Sequence, residues 1–240
     1  MEKIYAISTA RRESKSPPGK NLMLIQGKPL YLHNLLESMA TPQIKDTYIT
    51  TDIPEAIEAS KNIGFKVITL EDEMYGDNVS HTDVIYRGLF EIEKDIGDQV
   101  DILIVMLGNT VNMDRYVVRN ALDILKNEPE TDSVVTVIRA NHFNPLRVYI
   151  DNGDGYLTTY LDQSFIKEKT SKLHLSDKNA QGNILFQNGL WVLRRHAITN
   201  AKEKREGLLP FPWFGNKVRY LEQDPRLQEV DDLYQLRLLL

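Results

Sequence analysis

Residues 102–107 read Ile-Leu-Ile-Val-Met-Leu, and this run is apolar at every position. A strand with one wet face alternates apolar and polar residues, whereas a strand buried on both faces is apolar throughout. The run has the length of a typical strand and is too short for a membrane span. It therefore predicts a central strand of a parallel sheet that is covered on both sides.

Short β-branched or apolar runs alternate with amphipathic stretches along the first half of the chain. Strands are predicted at 4–8, 47–51, 66–70, 102–107 and 133–138, and helices at 30–39, 54–62, 80–94 and 115–125. This alternation indicates an α/β fold, with a doubly wound, mostly parallel, Rossmann-like sheet. Right-handed crossovers bring the carboxyl ends of the strands to one edge, where ligands usually bind. The loops after Ser8 and Leu107 are therefore the candidate site.

The alternation breaks down after residue 140. Turn-forming residues and a polar stretch at 167–182 predict excursions rather than regular elements. We interpret 140–185 as an insertion or dimerisation arm within a single domain of residues 1–240. The later elements are predicted as a strand at 186–193, interrupted by Asn188-Gly189, a strand at 218–221 and a closing helix at 232–240.

The amino-acid composition limits which kinds of protein this chain can be. The chain has 240 residues, of which 42% are hydrophobic and 26% are charged, and this suits a globular protein with a buried core. A net charge of −5 argues against a nucleic-acid surface, and no apolar run is long enough to predict a membrane span. Because cysteine is absent, disulfides and thiolate-bound metals are excluded. No signal-peptide pattern opens the sequence, so we expect a cytoplasmic protein with no nucleic-acid or membrane partner.

Basic residues cluster in the loop after the first predicted strand. This loop contains Arg11, Lys15 and Lys20, and Pro17-Pro18-Gly19 constrains the backbone between the two lysines. A planar arginine fork, lysine ammonium groups and backbone N–H groups together suit a polyphosphate. The alternative is a solvated basic loop, since most charged runs are simply solvated. The Walker A spacing is absent, so the loop is not a P-loop.

A sequence pattern in this loop resembles a known family. Residues 10–21 read A-R-R-E-S-K-S-P-P-G-K-N. They are similar to the opening of the sugar-acid cytidylyltransferases, in which acylneuraminate cytidylyltransferases (CMP-sialic acid synthetases) carry A-R-G-G-S-K-x-x-P-x-K-N and 3-deoxy-manno-octulosonate cytidylyltransferases carry A-R-x-x-S-x-x-x-P-G-K. Weaker similarities follow in T-T-D at 50–52, D-N-V-S-H-T-D-V-I at 77–85, N-G at 188–189 and E-V-D-D-L at 229–233.

The resemblance implies a fold of the nucleotide-diphospho-sugar transferase type, a homodimer, and Mg²⁺-dependent transfer of CMP from CTP to an acidic sugar with release of pyrophosphate. The implied nucleotide- and phosphate-binding residues are Ala10, Arg11, Ser14, Lys15, Lys20, Asn21, Ser80 and Thr110, of which Arg11 and Lys20 are also catalytic. The implied acceptor-binding residues are Gly108, Asn109, Asn188 and Gly189. The implied Mg²⁺ ligands are Glu229 and Asp231, a pair whose spacing suits Mg²⁺. Favourable charge at a helix N-terminus is the alternative explanation for this pair.

The chain also departs from the family pattern. Arg12-Glu13 stand where the sialate-type enzymes have Gly-Gly, and residues 107–114 differ from their L-Q-P-T-S-P-L-R. Gly108-Asn109 instead resembles a Gly-Asp of the octulosonate type in which asparagine has replaced the acid. These changes leave open a catalytically impaired nucleotide-binding homologue, or a nucleotidyltransferase that uses another base or a non-sugar acid. His81 is expected only to pack or be solvated, and no pair of histidines has zinc-ligand spacing.

Overall fold

The computed structural model describes residues 2–14, 17–114, 116–171, 183–224 and 228–237. Its strands are β1 (Ile4–Ala10), β2 (Leu24–Ile25), β3 (Lys28–Pro29), β4 (Thr47–Thr51), β5 (Lys66–Ile68), β6 (Ile102–Leu107), β7 (Thr110–Val111), β8 (Ser133–Arg139), β9 (Tyr149–Asp151), β10 (Leu157–Thr159), β11 (Leu185–Arg194), β12 (Val218–Glu222) and β13 (Gln228–Glu229). Its α-helices are α1 (Leu32–Ser38), α2 (Pro54–Ile63), α3 (His81–Ile96), α4 (Val117–Asn127), α5 (Gln163–Thr170), α6 (Arg195–Glu203) and α7 (Leu233–Arg237).

Seven strands form the central sheet, in the order β12-β8-β11-β6-β1-β4-β5. β1 pairs in parallel with β6 and β4, and β4 pairs in parallel with β5. β11 runs antiparallel to β6, with Leu190 opposite Met106. The predicted α/β fold with a mostly parallel sheet is confirmed, and β6 lies inside the sheet as its apolar sequence requires.

Helices cover both faces of β1. A side chain on Gly88 of α3 would come within 2.4 Å of Ile7 Cδ1, so α3 packs closely on one face. Ala10 packs in a buried cluster with Leu35 of α1 and Ala56 of α2. Because Ile7 and Ala10 are an odd number of residues apart on a strand, their side chains point to opposite faces. The sheet is therefore covered on two sides at its centre.

Some predicted elements were wrong or missing. The strand expected to break at Asn188-Gly189 is continuous over Leu185–Arg194, and Gly189 adopts a positive φ of 92° within it, which glycine does without steric cost. The stretch from 167 begins inside α5, not in a turn, and α6 was not predicted. Part of that stretch, residues 172–182, lies outside the described residues, as do Lys15 and the last three residues of the predicted closing helix.

The chain forms two compact units, residues 1–136 with 188–240, and residues 137–187. Within the second unit, β9 and β10 form an antiparallel hairpin, in whose turn Asp151 Oδ1 accepts a hydrogen bond of 2.7 Å from the Gly153 N–H. α5 begins after Asp162, whose carboxylate caps the helix. A role for this unit as a dimerisation arm stays a prediction. Across the described ranges, no helix has the length and apolar character needed to cross a bilayer.

Candidate active site

Lys20 is the centre of a charged cluster at the carboxyl edge of the sheet. Gly19 has a φ of 65°, a left-handed conformation that suits glycine, and the chain then enters a short 3-10 turn at Lys20. The Lys20 ammonium group donates hydrogen bonds of 2.9 Å to the Val230 carbonyl and of 2.9 Å to Asp231 Oδ1. Its side chain is 15% exposed, whereas that of Asp231 is 55% exposed. The lysine side chain is therefore mostly buried and fixed by the Val230 carbonyl, while the Asp231 carboxylate faces solvent.

The turn after β6 joins this cluster. Asn109 Nδ2 donates a 2.8 Å hydrogen bond to the same Asp231 Oδ1 that Lys20 contacts. The Val230 N–H donates a 2.8 Å hydrogen bond to the Asn109 carbonyl, and β13 pairs with β7 so that Glu229 lies opposite Thr110. A short two-stranded ladder thus fixes the carboxylates beside the turn that ends the central strand.

Glu229 is partly buried and lies beside another carboxylate. Its Oε1 accepts a 3.3 Å hydrogen bond from the Gly189 N–H. Burial, followed by the negative charge of Asp231, raises the pKa of Glu229 to about 7, while the Gly189 N–H and Lys20 act in the opposite direction. Lys20 therefore only partly offsets the negative charge of Glu229 and Asp231, and a further cation would favour the ionised form of Glu229.

Gly108 permits the ends of β1 and β6 to approach one another. A side chain there would meet the Thr9 carbonyl oxygen at 2.5 Å, and this backbone could not move aside easily. Close by, Ser8 Oγ and Thr110 Oγ1 are buried hydroxyls without a hydrogen-bond partner among the described residues. The glycine is therefore required by packing at the site edge, whatever contact it makes with a ligand.

Arg11 lies at the other end of the loop and has its own set of contacts. Its NH1 lies 3.0 Å from Asp77 Oδ1 and donates a 3.4 Å hydrogen bond to the Tyr75 carbonyl. Its own carbonyl accepts a 2.7 Å hydrogen bond from Nδ2 of the buried Asn21. The Arg12 N–H donates to Asp52 Oδ1 at 2.6 Å. Both the backbone and the side chain at Arg11 are therefore positioned by neighbouring segments.

The residues expected at the site fall into separate groups in the structure. One group is joined by hydrogen bonds or strand pairing and contains Lys20, Asn109, Thr110, Gly189, Glu229 and Asp231. Arg11 and Asn21 form a second group, next to Ala10 at the buried end of β1. Ser80 is the N-cap of α3, where its hydroxyl accepts a hydrogen bond from the Asp83 N–H. Ser14 makes a backbone turn to Arg12, and Asn188 is buried in β11.

Comparison with known proteins decides the family. The sequence profile of the family described as Cytidylyltransferase matches residues 5–207, most of the chain. The chain belongs to the cytidylyltransferase family. The predicted family is therefore confirmed.

Two curated proteins are similar to this chain in sequence. The 3-deoxy-manno-octulosonate cytidylyltransferase of Francisella philomiragia is 31% identical over 130 residues, which cover 54% of this chain and 49% of the relative. The CMP-N,N'-diacetyllegionaminic acid synthase of Legionella pneumophila is 31% identical over 84 residues, 35% of each chain. The chain thus spans about half, or less, of the length of the curated relatives it matches.

Solved structures share the fold over nearly the full length. A CMP:2-keto-3-deoxy-manno-octonic acid synthetase complexed with CTP superimposes with a TM-score of 0.68 at 18% identity, covering 98% of this chain and 96% of its own. The 4-diphosphocytidyl-2C-methyl-D-erythritol synthase of Anaerococcus prevotii has a TM-score of 0.61 at 12% identity, covering 99% of this chain and 94% of its own. At these identities the likeness confirms the predicted Rossmann-like fold and no more.

Several groups near the site were not predicted from the sequence. Asp52 and Asp77 were noted only as parts of motifs, and a carboxylate directly after a strand could have been read as a backbone anchor.

His81 packs, as expected, with its ring 5.5 Å from that of Trp191, but its Nε2 is also 3.0 Å from Thr9 Oγ1. Trp191 in turn contacts Phe211 and the aromatic residues after it. No spacing rule predicts such contacts, because they join distant segments.

Proposed function

We propose that this cytidylyltransferase transfers CMP from CTP to the hydroxyl group of a sugar acid and releases pyrophosphate. The observation that carries the proposal is the cluster in which Lys20, Asn109 and Asp231 converge at the carboxyl edge of the sheet. Ligands of open α/β sheets bind at this edge. The CTP named for one structural neighbour and the sugar acids named for two relatives support the substrate class.

In the proposed reaction the acceptor hydroxyl loses its proton to water and its oxygen bonds to the α-phosphorus of CTP. The bond between the α-phosphorus and the oxygen that bridges to the β-phosphate breaks, and pyrophosphate leaves with that electron pair. Negative charge then builds on the departing pyrophosphate. Lys20 and Arg11 would bind and neutralise this charge, because preorganised cations at the leaving group stabilise the transition state. Gly19 would let the backbone of the loop approach the phosphates closely. Binding and orienting the polyphosphate are thus the tasks of the first loop.

Glu229 and Asp231 are the residues that would hold Mg²⁺. Their donor set fits, since Mg²⁺ prefers oxygen ligands and commonly takes one or two carboxylates together with phosphate oxygens and water. Burial, followed by the charge of Asp231, raises the pKa of Glu229 to about 7, and a cation bound to the two carboxylates would favour its ionised form. Among the described residues no larger group of acidic or histidine side chains converges. When bound, the ion would supply charge neutralisation at the phosphates.

We also propose a homodimer in which the second unit contacts another copy. Large apolar side chains are concentrated on its surface: of sixteen such exposed side chains among the described residues, nine lie within 137–187. An exposed apolar patch of this kind often marks an interaction site. Light scattering should give twice the chain mass, and Leu157→Ser with Tyr156→Ser should shift the protein towards monomer. A cytoplasmic location stays a prediction from the sequence.

A pyrophosphate-release assay tests the activity. CTP, UTP and GTP are each offered with Mg²⁺ and a panel of acidic sugars that includes octulosonates and nonulosonates. We expect pyrophosphate to be released with CTP and at least one sugar acid, and no pyrophosphate to be released without an acceptor. Release with another base only, or no release and no nucleotide binding, would contradict it.

A second candidate is a nucleotide-binding homologue without turnover. The observation that favours it is Asn109, which stands where the octulosonate-type pattern has an acid and here donates its amide to Asp231. Loss of a carboxylate at this position would weaken the site for a divalent cation. CTP binding without pyrophosphate release across the whole acceptor panel would favour this candidate over the transferase.

A further inference from the structure

Arg11 has one bound edge and one open edge. NH1 is occupied by Asp77 Oδ1 at 3.0 Å and by the Tyr75 carbonyl at 3.4 Å. In the described part of the chain, Nε and NH2 of Arg11 have no partner. The side chain is 39% exposed, so the open edge is accessible to a ligand. A guanidinium group held by one nitrogen keeps the remaining donors of its planar fork for a second anion.

The segment that holds Arg11 is itself anchored to the sheet. The Tyr75 hydroxyl accepts a 3.0 Å hydrogen bond from the Leu70 N–H and lies 3.4 Å from Thr50 Oγ1 at the end of β4. Residues 72–75 form a 3-10 turn, and Ser80 caps the following helix. Tyr75 and Asp77 are therefore fixed relative to the strand ends, and they can fix Arg11 in turn.

The backbone of Arg11 is held as well, by Asn21 on its carbonyl and by Asp52 on the next N–H. Held in this way, the guanidinium group needs to lose little freedom when it binds an anion. We infer that Asp77 and the Tyr75 carbonyl form a clamp that presents the Nε–NH2 edge of Arg11 to the polyphosphate. Asp77 is then a positioning residue, and this inference rests on the proposed function.

The sign of the effect separates the clamp from plain electrostatics. Asp77 is a negative charge beside an anion site, so removing it should strengthen anion binding if charge alone mattered. If Asp77 orients Arg11, removing it should weaken binding, because the freed side chain must be ordered again by the ligand. Only an orienting role predicts a loss of affinity on removal of a negative charge.

The test measures the dissociation constants of CTP and of inorganic pyrophosphate by calorimetry, at fixed ionic strength, on the full chain. The variants are Asp77→Asn, Asp77→Glu, Arg11→Ala and the double variant Asp77→Asn with Arg11→Ala. Asp72→Asn is the matched control, because it removes the same charge from the same segment at an exposed position. Thermal unfolding of each variant confirms that it is folded.

The clamp predicts that Asp77→Asn weakens pyrophosphate binding about fivefold, the scale of one well-oriented ion pair. Asp77→Glu should recover part of the loss, and Asp72→Asn should bind like the wild type or slightly tighter. Once Arg11 is alanine, Asp77→Asn should cause no loss of affinity or a slight gain, because only the removed negative charge then matters. Unchanged or tighter binding by Asp77→Asn, or an equal loss in the Arg11→Ala background, would overturn the clamp while leaving the proposed function intact. If the wild type bound neither CTP nor pyrophosphate, the proposed function would fall and the clamp with it.

Discussion

The two ends of the first loop carry the two cations expected to bind phosphate, and the structure treats them differently. Lys20 is 15% exposed and contacts a carbonyl and a carboxylate from the C-terminal segment. Arg11 is 39% exposed and contacts a carboxylate and a carbonyl from the loop before α3. Lys20 is thus part of the structure of the site, whereas Arg11 is positioned at its rim.

Because of this difference, changes at Lys20 and at Arg11 should affect the stability of the protein to different extents. Removal of the Lys20 ammonium group leaves the Val230 carbonyl without this donor, and an unmade hydrogen bond of this kind costs about 1–3 kcal/mol, whereas Asp231 remains exposed to solvent. A half-exposed ion pair contributes about 1 kcal/mol or less to stability. We therefore expect changes at Lys20 to affect both folding and nucleotide binding, and changes at Arg11 to affect binding alone.

Lys20→Ala should have the largest effect. It removes a phosphate-binding charge, leaves the Val230 carbonyl without this donor and takes the cationic partner from Asp231, which keeps the Asn109 amide, so we expect CTP affinity to fall by about two orders of magnitude and the free energy of unfolding by about 2 kcal/mol. Calorimetry and urea unfolding measure the two quantities. Lys28→Ala, an exposed lysine on β3, is the control and should change neither. A variant of full stability and affinity would place Lys20 outside the site.

His81 contacts Thr9, two residues before Arg11, and should make the stability of the protein depend on pH. Burial lowers the pKa of His81 to about 4, below its ordinary value of 6.5, so the unfolded state takes up the proton first. Its contribution to stability is present above about pH 6.5 and is lost as the pH falls towards 4. Against His81→Gln, the wild type should lose about 1–2 kcal/mol more stability between pH 7 and 5.

His33→Gln, the same change at another partly buried histidine, accounts for the general effect of losing an imidazole. Urea unfolding at several pH values supplies the comparison. Parallel pH profiles for the wild type and His81→Gln would show that burial does not lower the pKa of His81 in the folded protein.

Arg11→Ala should weaken CTP binding about tenfold and change the free energy of unfolding by less than about 1 kcal/mol. Arg11→Lys should recover only part of the affinity, since a point charge cannot use the fork geometry. The dissociation constant of CTP and the free energy of unfolding, both measured on the same preparations, test this prediction. A large loss of stability would mean that the two ends of the loop do not differ as proposed.

Asn109→Asp should have the smallest effect, and its sign should depend on Mg²⁺. The variant loses the amide that donates to Asp231 and adds a third carboxylate beside Glu229 and Asp231, so without metal it should be less stable by about 1 kcal/mol. Added Mg²⁺ should raise its melting temperature more than that of the wild type. An equal response in the two proteins would argue against Glu229 and Asp231 as metal ligands.

The fold was largely predictable because its signals are local. The unbroken apolar run of β6 required burial on both faces, and amphipathic stretches between strands required crossovers. α6 was missed because its sequence, RRHAITNAKE with the last strand residue, directly continues β11 without a turn signal. The break expected at Asn188-Gly189 was wrong because a glycine with positive φ can remain within a strand.

The site was predictable only in part. Lys20, Glu229 and Asp231 were implied by resemblance, and the structure brings them into one cluster. The contacts that orient Arg11 were not foreseen, since they depend on Tyr75 and Asp77, which reach it through the packing of the loop before α3. Composition and spacing describe which charges are available, but tertiary contacts decide which charge faces which.

A crystal structure of the chain grown with CTP and Mg²⁺ tests the central claim most directly. We expect triphosphate oxygens within hydrogen-bonding distance of Lys20 Nζ and of Nε or NH2 of Arg11, with Asp77 still in contact with NH1. Nucleotide density elsewhere on the protein, with both cations bound only to the carboxylates they contact now, would contradict it.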